Sequence, residues 1–346
     1  MNKKLLAVAI SGALVAPLAA QAVDFKISGH INRMIRFADD GQGSDVQHMD
    51  NTASRSRYRI RGEGDLGNGM KAGVFYEAGI ASNRQRPLKG ADGNDSVGDI
   101  RHSMLYFSGN FGKVSMGHTS SAFDGVMYAD LSGTGLADEA AWFEHCSTCL
   151  IRTSAGGNIG TLTTYASDFD GGRLDVLRYD SPALGPAVIS AAIGNDQIWD
   201  IAVNVDHSIG GGKLALYAGY QGAENRLGRD TWGGSIGFMF SQGTNISFAY
   251  GERDLAGAAP GRDDPKNWYV KLGHKWGNNA ISVSYGETSD LVQNADATAI
   301  GVGFVHTIAK PGVDLYAGYH NADVDLTGVN TEDLDIFVMG ARVKFQ

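Results

Sequence analysis

Apolar and polar residues alternate along most of this chain, in segments of roughly ten residues. Successive side chains of a β-strand point to opposite faces, so each segment predicts a strand with one apolar and one hydrated face. One early segment has an arginine at every second position, namely Arg55, Arg57, Arg59 and Arg61. A strand can carry such a row of like charges when lipid covers one face and a water-filled lumen the other.

The same two-faced pattern recurs through the rest of the chain. Apolar positions that share a predicted face include Phe25, Ile27, Val74, Ile201, Phe248, Leu272, Val283, Leu315, Phe337 and Phe345. Opposite them stand Lys26, Ser28, Asn204, Ser247, Lys271, Ser282, Asp314 and Arg342. A soluble antiparallel barrel or sandwich also alternates, but it would have to fill its interior with apolar side chains. The polar interior favours a membrane barrel.

Short and long connections separate the predicted strands in turn. The short ones carry Gly, Asn and Pro, which favour tight turns, at 65–69, 109–112, 210–212, 241–243, 277–279 and 310–312. Longer polar connections lie at 82–97, 222–228, 253–265 and 322–332. Counting strands between them predicts an all-β, transmembrane antiparallel β-barrel of sixteen strands, with short periplasmic turns and long extracellular loops. The segment from 151 to 172 has no clear strand or loop pattern.

The first 22 residues have the pattern of a secretory signal peptide. Lys3 and Lys4 precede an apolar run, and Ala20-Gln21-Ala22 forms a small-residue cleavage site. The alternative is a membrane anchor, but the apolar run is short for a span. We therefore expect a signal peptide at 1–22 and one barrel domain at 23–346.

Composition narrows the functional classes. The chain has 48 Gly, 7 Pro and 43% hydrophobic residues, which is too apolar for a disordered protein. Its formal net charge is −9, and removal of the two leader lysines makes it −11, so we expect no nucleic-acid partner. We also expect no catalytic group and no cofactor.

Two short patterns resemble enzyme motifs without their required context. Residues 62–67 fit G-x-G-x-x-G, but a dinucleotide site needs a helix after the glycines and another strand follows here. Residues 233–237 fit G-x-S-x-G, but Ser235 lies inside an alternating strand rather than at a strand-to-helix turn.

Four stretches resemble the general porins of Gram-negative bacteria. They are residues 56–73 (SRYRIRGEGDLGNGMKAG), 109–118 (GNFGKVSMGH), 177–182 (LRYDSP) and the alternating C-terminal strand. The first is similar to the second strand, first turn and third strand of that family. Two departures are His118, where the family usually has arginine, and Gln346, which follows the usual terminal phenylalanine, Phe345.

The resemblance implies a homotrimer of barrels, each narrowed by a third loop that folds into the bore, here at about 119–157. It implies that acidic side chains of this loop face a basic wall across the constriction. The candidate acids are Asp124, Asp130, Asp138, Glu139 and Glu144. The candidate basic wall comprises Arg55, Arg57, Arg59, Arg61, Arg101 and His118. The alternative is that the arginines are merely solvated in a wide bore.

Cys146 and Cys149 lie in the same predicted loop. An even number of cysteines in an exported protein predicts a disulfide. The spacing also occurs in redox motifs, and the adjacent His145 leaves a metal site open as a second alternative. No further Cys or His pair accompanies them, so a structural disulfide is favoured.

These observations predict a passive channel in the outer membrane for small hydrophilic solutes and ions, with outer-membrane lipid around it. A channel with a substrate preference, such as for an anion drawn to Arg55–Arg61, is an alternative. A barrel lipase and a barrel used for surface attachment or phage reception are two further alternatives.

Overall fold

The computed structural model describes residues 23–83, 96–222, 229–255 and 261–346. The predicted signal peptide at 1–22 lies outside the described residues. Parts of three predicted long connections, at 84–95, 223–228 and 256–260, also lie outside them.

Nearly every element of the described chain is a β-strand. The strands are β1 (Asp24–Asp39), β2 (Ser44–Asp50), β3 (Arg57–Gly67), β4 (Met70–Ala81), β5 (Ser96–Gly109), β6 (Gly112–Ser120), β7 (Leu150–Arg152), β8 (Asn158–Thr161), β9 (Arg173–Asp180), β10 (Ala187–Gly194), β11 (Trp199–Ile209), β12 (Gly212–Gly222), β13 (Arg229–Met239), β14 (Thr244–Leu255), β15 (Lys266–Trp276), β16 (Asn279–Ser289), β17 (Ala295–Ile308), β18 (Val313–Leu326) and β19 (Leu334–Phe345).

The sheet closes on itself because β1 pairs with β19 as well as with β2 and β3. Seventeen strands belong to this sheet, and all pairings are antiparallel. Since β2 and β3 pair with successive parts of β1, they form one interrupted strand of the barrel. The predicted sixteen-stranded antiparallel barrel is therefore confirmed.

The outer surface of the barrel is apolar. Phe25, Ile201 and Leu272 are 63%, 46% and 52% exposed. Aromatic pairs mark one boundary of this surface, with Trp199–Tyr220, Trp232–Tyr250 and Trp268–Tyr285 ring centroids 5.3, 5.5 and 5.0 Å apart. Trp276 lies eight positions beyond Trp268 on β15, about 26 Å along an extended strand. Tilted by about 40°, a strand segment of that length covers about 20 Å, which is most of the roughly 25 Å apolar band of an outer membrane.

Two boundaries differ from the sequence prediction. β18 continues to Leu326, so the connection predicted at 322–332 starts later. β3 begins only at Arg57, because 53–56 form a turn that separates it from β2, and Arg55 therefore lies outside the strand.

One long connection, between β6 and β9, folds into the bore. It runs from 121 to 172, later at both ends than the predicted 119–157, and contains β7, β8 and a short helix, α1 (Leu162–Tyr165). None of the described helices is long and apolar enough to cross a membrane. We call residues 121–172 the inserted loop.

Glycines on the barrel wall let the inserted loop approach closely. A Cβ atom at Gly237 would collide with the carbonyl oxygen of Ala129, and one at Gly318 with that of Ala137. The bore is therefore filled on the β11–β19 side by the loop and left open beside β3–β6.

Candidate functional site

Three arginines converge on one carboxylate at the open side of the bore. Arg57 Nη1 lies 3.2 Å from Glu77 Oε1, and Arg101 Nε lies 2.6 Å from the same oxygen. Arg59 Nε donates to the other oxygen, Oε2. Glu77 is only 2% exposed. One negative charge thus holds three guanidinium groups, which leaves this cluster a net positive charge.

Strand register explains why these residues meet. Arg59 lies directly opposite Glu77 in the β3–β4 ladder, so their side chains share the inner face. On the other side of β4, Glu77 pairs with His102 and Ala78 with Ile100, which leaves Arg101 as the extra residue of a β-bulge. A bulge re-aims side chains, and here it brings Arg101 to Glu77.

The other predicted basic residues occupy separate positions. Arg55 lies 3.6 Å from Asp99, and His118 Nδ1 lies 3.8 Å from Asp175. Arg61 is exposed toward one end of the bore, with its guanidinium carbon 4.9 Å from the ring centroid of Phe75. The six predicted basic residues therefore do not form a single row.

Acidic side chains of the inserted loop face this basic wall across a cavity of about 790 Å³. Three of them were expected from the sequence, namely Asp124, Glu139 and Glu144. Asp168 and Asp170 join them from the end of the loop. Across the cavity stand Arg55, Arg57, Arg101, His118 and Arg173. The cavity is therefore lined by carboxyl groups on the loop side and mainly by cations on the strand side, where Asp99 accompanies Arg55.

Three of the loop acids, Glu139, Glu144 and Asp170, have pKa values raised above those of free carboxyl groups. Burial raises the pKa of Glu144 to about 7, which nearby Arg55 only partly offsets. Burial, and then the charge of Glu144, raise the pKa of Glu139 well above its usual value. Burial and the neighbouring Asp168 do the same for Asp170. The acidic side consequently carries less negative charge near neutral pH than its five carboxyl groups suggest.

The remaining predicted acids, Asp130 and Asp138, do not face the basic wall. Both pair with Lys271 of β15, which is 1% exposed and lies 2.8 Å from Asp130 Oδ2 and 3.7 Å from Asp138 Oδ2. Ser282 and Ser284 donate to the two oxygens of Asp138, at 2.5 and 2.6 Å. These contacts attach the loop to the far wall of the barrel.

Further contacts continue this attachment around the bore. Asp200 accepts from the backbone N–H of Ala122 at 3.0 Å, and His320 bonds the carbonyl of Ala137 at 2.8 Å. Arg36 donates to the carbonyl of His145 at 3.1 Å. Hydrogen bonds therefore attach the inserted loop to strands around the barrel, from β11 through β18 to β1.

Cys146 and Cys149 form a disulfide within the inserted loop, and both are buried. Within the described residues, no group of three or more His, Cys, Asp or Glu side chains is placed to hold a metal ion. Both cysteine sulfur atoms are joined in this bond, so the disulfide links two positions within the loop.

Sequence reasoning missed several residues of the site, namely Glu77, Asp168, Asp170 and Arg173. Glu77 could have been found, because it alternates with apolar residues on the strand that follows the arginines. The other three could not, because the alternation pattern gives out between 151 and 172 and does not show where the loop ends.

Comparison with known proteins identifies a family that matches most of the chain. The profile of the Gram-negative porin family matches residues 6–327. Outer membrane porin protein 32 of Delftia acidovorans is 34% identical over 120 residues. That match covers 34% of this chain and 31% of the relative, so it spans about a third of each.

Solved structures resemble the fold more completely. The anion-selective porin from Comamonas acidovorans superposes with a TM-score of 0.66 at 20% identity, covering 94% of this chain and 100% of that one. OmpT of Vibrio cholerae in its trimer form superposes with a TM-score of 0.60 at 14% identity, and the match covers 94% of this chain and 100% of that one. DcaP of Acinetobacter baumannii, an outer membrane channel, superposes with a TM-score of 0.62 at 14% identity, and the match covers 96% of this chain and 100% of that one. At these identities the likeness establishes the fold.

The Lys271 anchor can be tested by stability. We expect Lys271→Met to lower the free energy of unfolding by about 3–5 kcal/mol, because it leaves buried carboxylates without their cation. Urea unfolding in detergent micelles measures this. The double variant Lys271→Met/Asp130→Asn should lose less unfolding free energy than the single variant, because it also removes one of the uncompensated carboxylates. An unchanged unfolding midpoint in the single variant would contradict the anchoring role.

Proposed function

This chain belongs to the family of Gram-negative porins, and from that premise we propose that it is a passive diffusion channel of the outer membrane. Small hydrophilic solutes and ions would cross through the cavity between the inserted loop and the basic wall. The observation that carries this proposal is that carboxyl groups of the inserted loop and cations of the wall line one cavity inside the barrel. We also propose that residues 1–22 are the export signal, removed to leave 23–346.

The charged walls act on whatever passes between them. Carboxyl groups on the loop side and guanidinium groups on the β3–β5 side create a field across the pore. Polar solutes can align their dipoles with this field, whereas apolar solutes must lose water without compensation. No reacting group or energy source enters this mechanism, so solutes move down their gradients.

We propose further that the pore prefers anions. The Glu77 cluster keeps a net positive charge, and the raised pKa values of Glu139, Glu144 and Asp170 weaken the opposing wall. The solved relative from Comamonas acidovorans is described as anion-selective, which supports the same direction. A solvated but unselective arginine row remains the competing explanation, and ion selectivity separates the two.

Replacing Arg57 and Arg59 by alanine should shift the pore toward cations. The change removes two of the three cations that hold Glu77, so the wall becomes less positive. The reversal potential of reconstituted channels in a salt gradient measures the preference. Lys310→Ala, an exposed lysine in a short turn, serves as the control and should leave the potential unchanged. No shift in the arginine variant would remove the assigned role.

The preference should also depend on pH. Because burial raises the pKa of Glu144 to about 7, this carboxyl group is mostly ionised at pH 8 and mostly neutral at pH 6. Lowering the pH across this range should increase anion preference in the same measurement. Glu144→Gln should remove most of the change. A pH response that persists unchanged in Glu144→Gln would contradict the assignment to this carboxyl group.

We propose that the barrel assembles as a homotrimer through the outer face of β1, β2 and β4. Arg33 and His48 lie on this face, and Arg33 Nη1 binds Asp50 Oδ2 at 2.6 Å and Ser82 Oγ at 2.7 Å. Charges facing hydrocarbon are costly, and a second copy of the chain would cover them. Lipid would cover the apolar remainder of the barrel. The trimer form solved for OmpT of Vibrio cholerae supports this arrangement.

Arg33→Met should weaken that assembly, since it breaks the outward ion pair with Asp50. Sedimentation of the detergent-extracted protein distinguishes three barrels from one. Leu216→Met, on the lipid-facing side of β12 across the barrel, is the control and should stay trimeric. A wild-type protein that sediments as a single barrel would contradict the proposed trimer.

A further inference from the structure

A second cavity, of about 660 Å³, lies in the bore below the constriction. It is formed by the start of β1, the first half of β3 and the end of β19, and the ends of β1 and β19 place it toward the short-turn end of the barrel. This is the periplasmic end in barrels of this type. Its cationic lining comprises Lys26, Arg59, Arg61, Arg342 and Lys344, with His30 beside them, and among the described residues no Asp or Glu side chain lines it. We call it the basic vestibule.

Part of this positive charge is compensated from outside the cavity. Asp314 binds Arg342 Nη2 at 2.8 Å and Lys344 Nζ at 3.0 Å. Arg59 shares Glu77 with the constriction above. These residues are therefore held in place by carboxylates behind them.

Lys26 and Arg61 differ from their neighbours. They stand directly opposite each other in the β1–β3 ladder, and both are exposed to the bore. Among the described residues, neither forms an ion pair within 4.0 Å, although the charge of Arg61 acts on Glu63 from farther away. Like charges directly opposite on antiparallel strands destabilise the sheet. Water in the bore makes this pair tolerable, and an anion placed between the two cations would also remove their mutual repulsion.

The arrangement selects the chemistry of that ligand. Arg61 lies over the ring of Phe75, its opposite neighbour on β4, which orients the guanidinium plane while leaving its outer N–H groups accessible. A planar guanidinium binds oxyanions through two parallel hydrogen bonds, and a lysine adds a point charge. A monovalent anion can neutralise one of these cations, whereas a multivalent oxyanion can bridge both.

We propose that the basic vestibule is a binding subsite for multivalent oxyanions, centred on Lys26 and Arg61. This proposal rests on the proposed channel function, because the anion reaches the subsite through the pore. The subsite would hold such anions beside the constriction and so favour them over chloride at low concentration. Phosphate-type oxyanions, with charge on several oxygens, fit the pair of donors best.

Inorganic pyrophosphate is a suitable probe, added to single channels that carry chloride current at constant ionic strength. We expect a saturable reduction of current that is stronger when pyrophosphate enters from the short-turn end. Lys26→Gln/Arg61→Gln should weaken this block by about a hundredfold, since it removes two charge-assisted contacts and each is worth roughly one order of magnitude. The chloride conductance of the variant should remain measurable.

Lys213→Gln provides the matched control. Lys213 shares the inward side of β12 with buried Ala215 near the same end of the barrel, but on the opposite wall. The Lys213→Gln variant should leave the pyrophosphate block unchanged. Equal weakening in the control, or an unchanged block in the double variant, would overturn the subsite and leave the channel function intact. Absence of any conductance in the wild type would instead overturn the proposed function.

Discussion

Hydrocarbon offers no hydrogen-bond partner to a peptide group, and this constraint governs the whole structure. Every strand must pair on both sides, so the sheet has to close, which it does where β1 meets β19. Closure at sixteen strands leaves a bore too wide for wall side chains to fill. The interior can therefore be hydrated, and charged residues become tolerable there.

The inserted loop occupies part of this wide bore. Its attachment is concentrated on one side, where Lys271 and His320 hold it and where glycines such as Gly318 admit its backbone. The opposite side remains open, and its arginines are arranged around Glu77. Buried charge thus has two roles in one molecule. On the loop-bearing wall, Lys271 pairs with loop carboxylates and positions the loop. On the open wall, three arginines share the single carboxylate of Glu77, so positive charge is in excess.

The same imbalance continues toward the short-turn end of the barrel. Glu77 and Asp314 each bind more than one cation. Each carboxylate offsets the repulsion between the cations that it binds, so those cations can lie close together. Lys26 and Arg61 add charge that no such carboxylate neutralises within the described part of the chain. An anion moving along this wall would meet two regions of positive charge in succession, one at the constriction and one in the basic vestibule.

The sequence by itself determined the barrel, its strand count, the lipid-facing residues and the basic character of the β3 wall. It could do so because side-chain alternation has a period of two wherever a strand separates lipid from water. Only the tertiary structure decided which charges meet: that Asp138 binds Lys271 rather than facing the arginines, that a bulge brings Arg101 to Glu77, and that Asp168 and Asp170 join the loop acids. Those pairings join residues distant in sequence through loop conformation, strand register and one irregularity, and none of these is encoded in a local pattern.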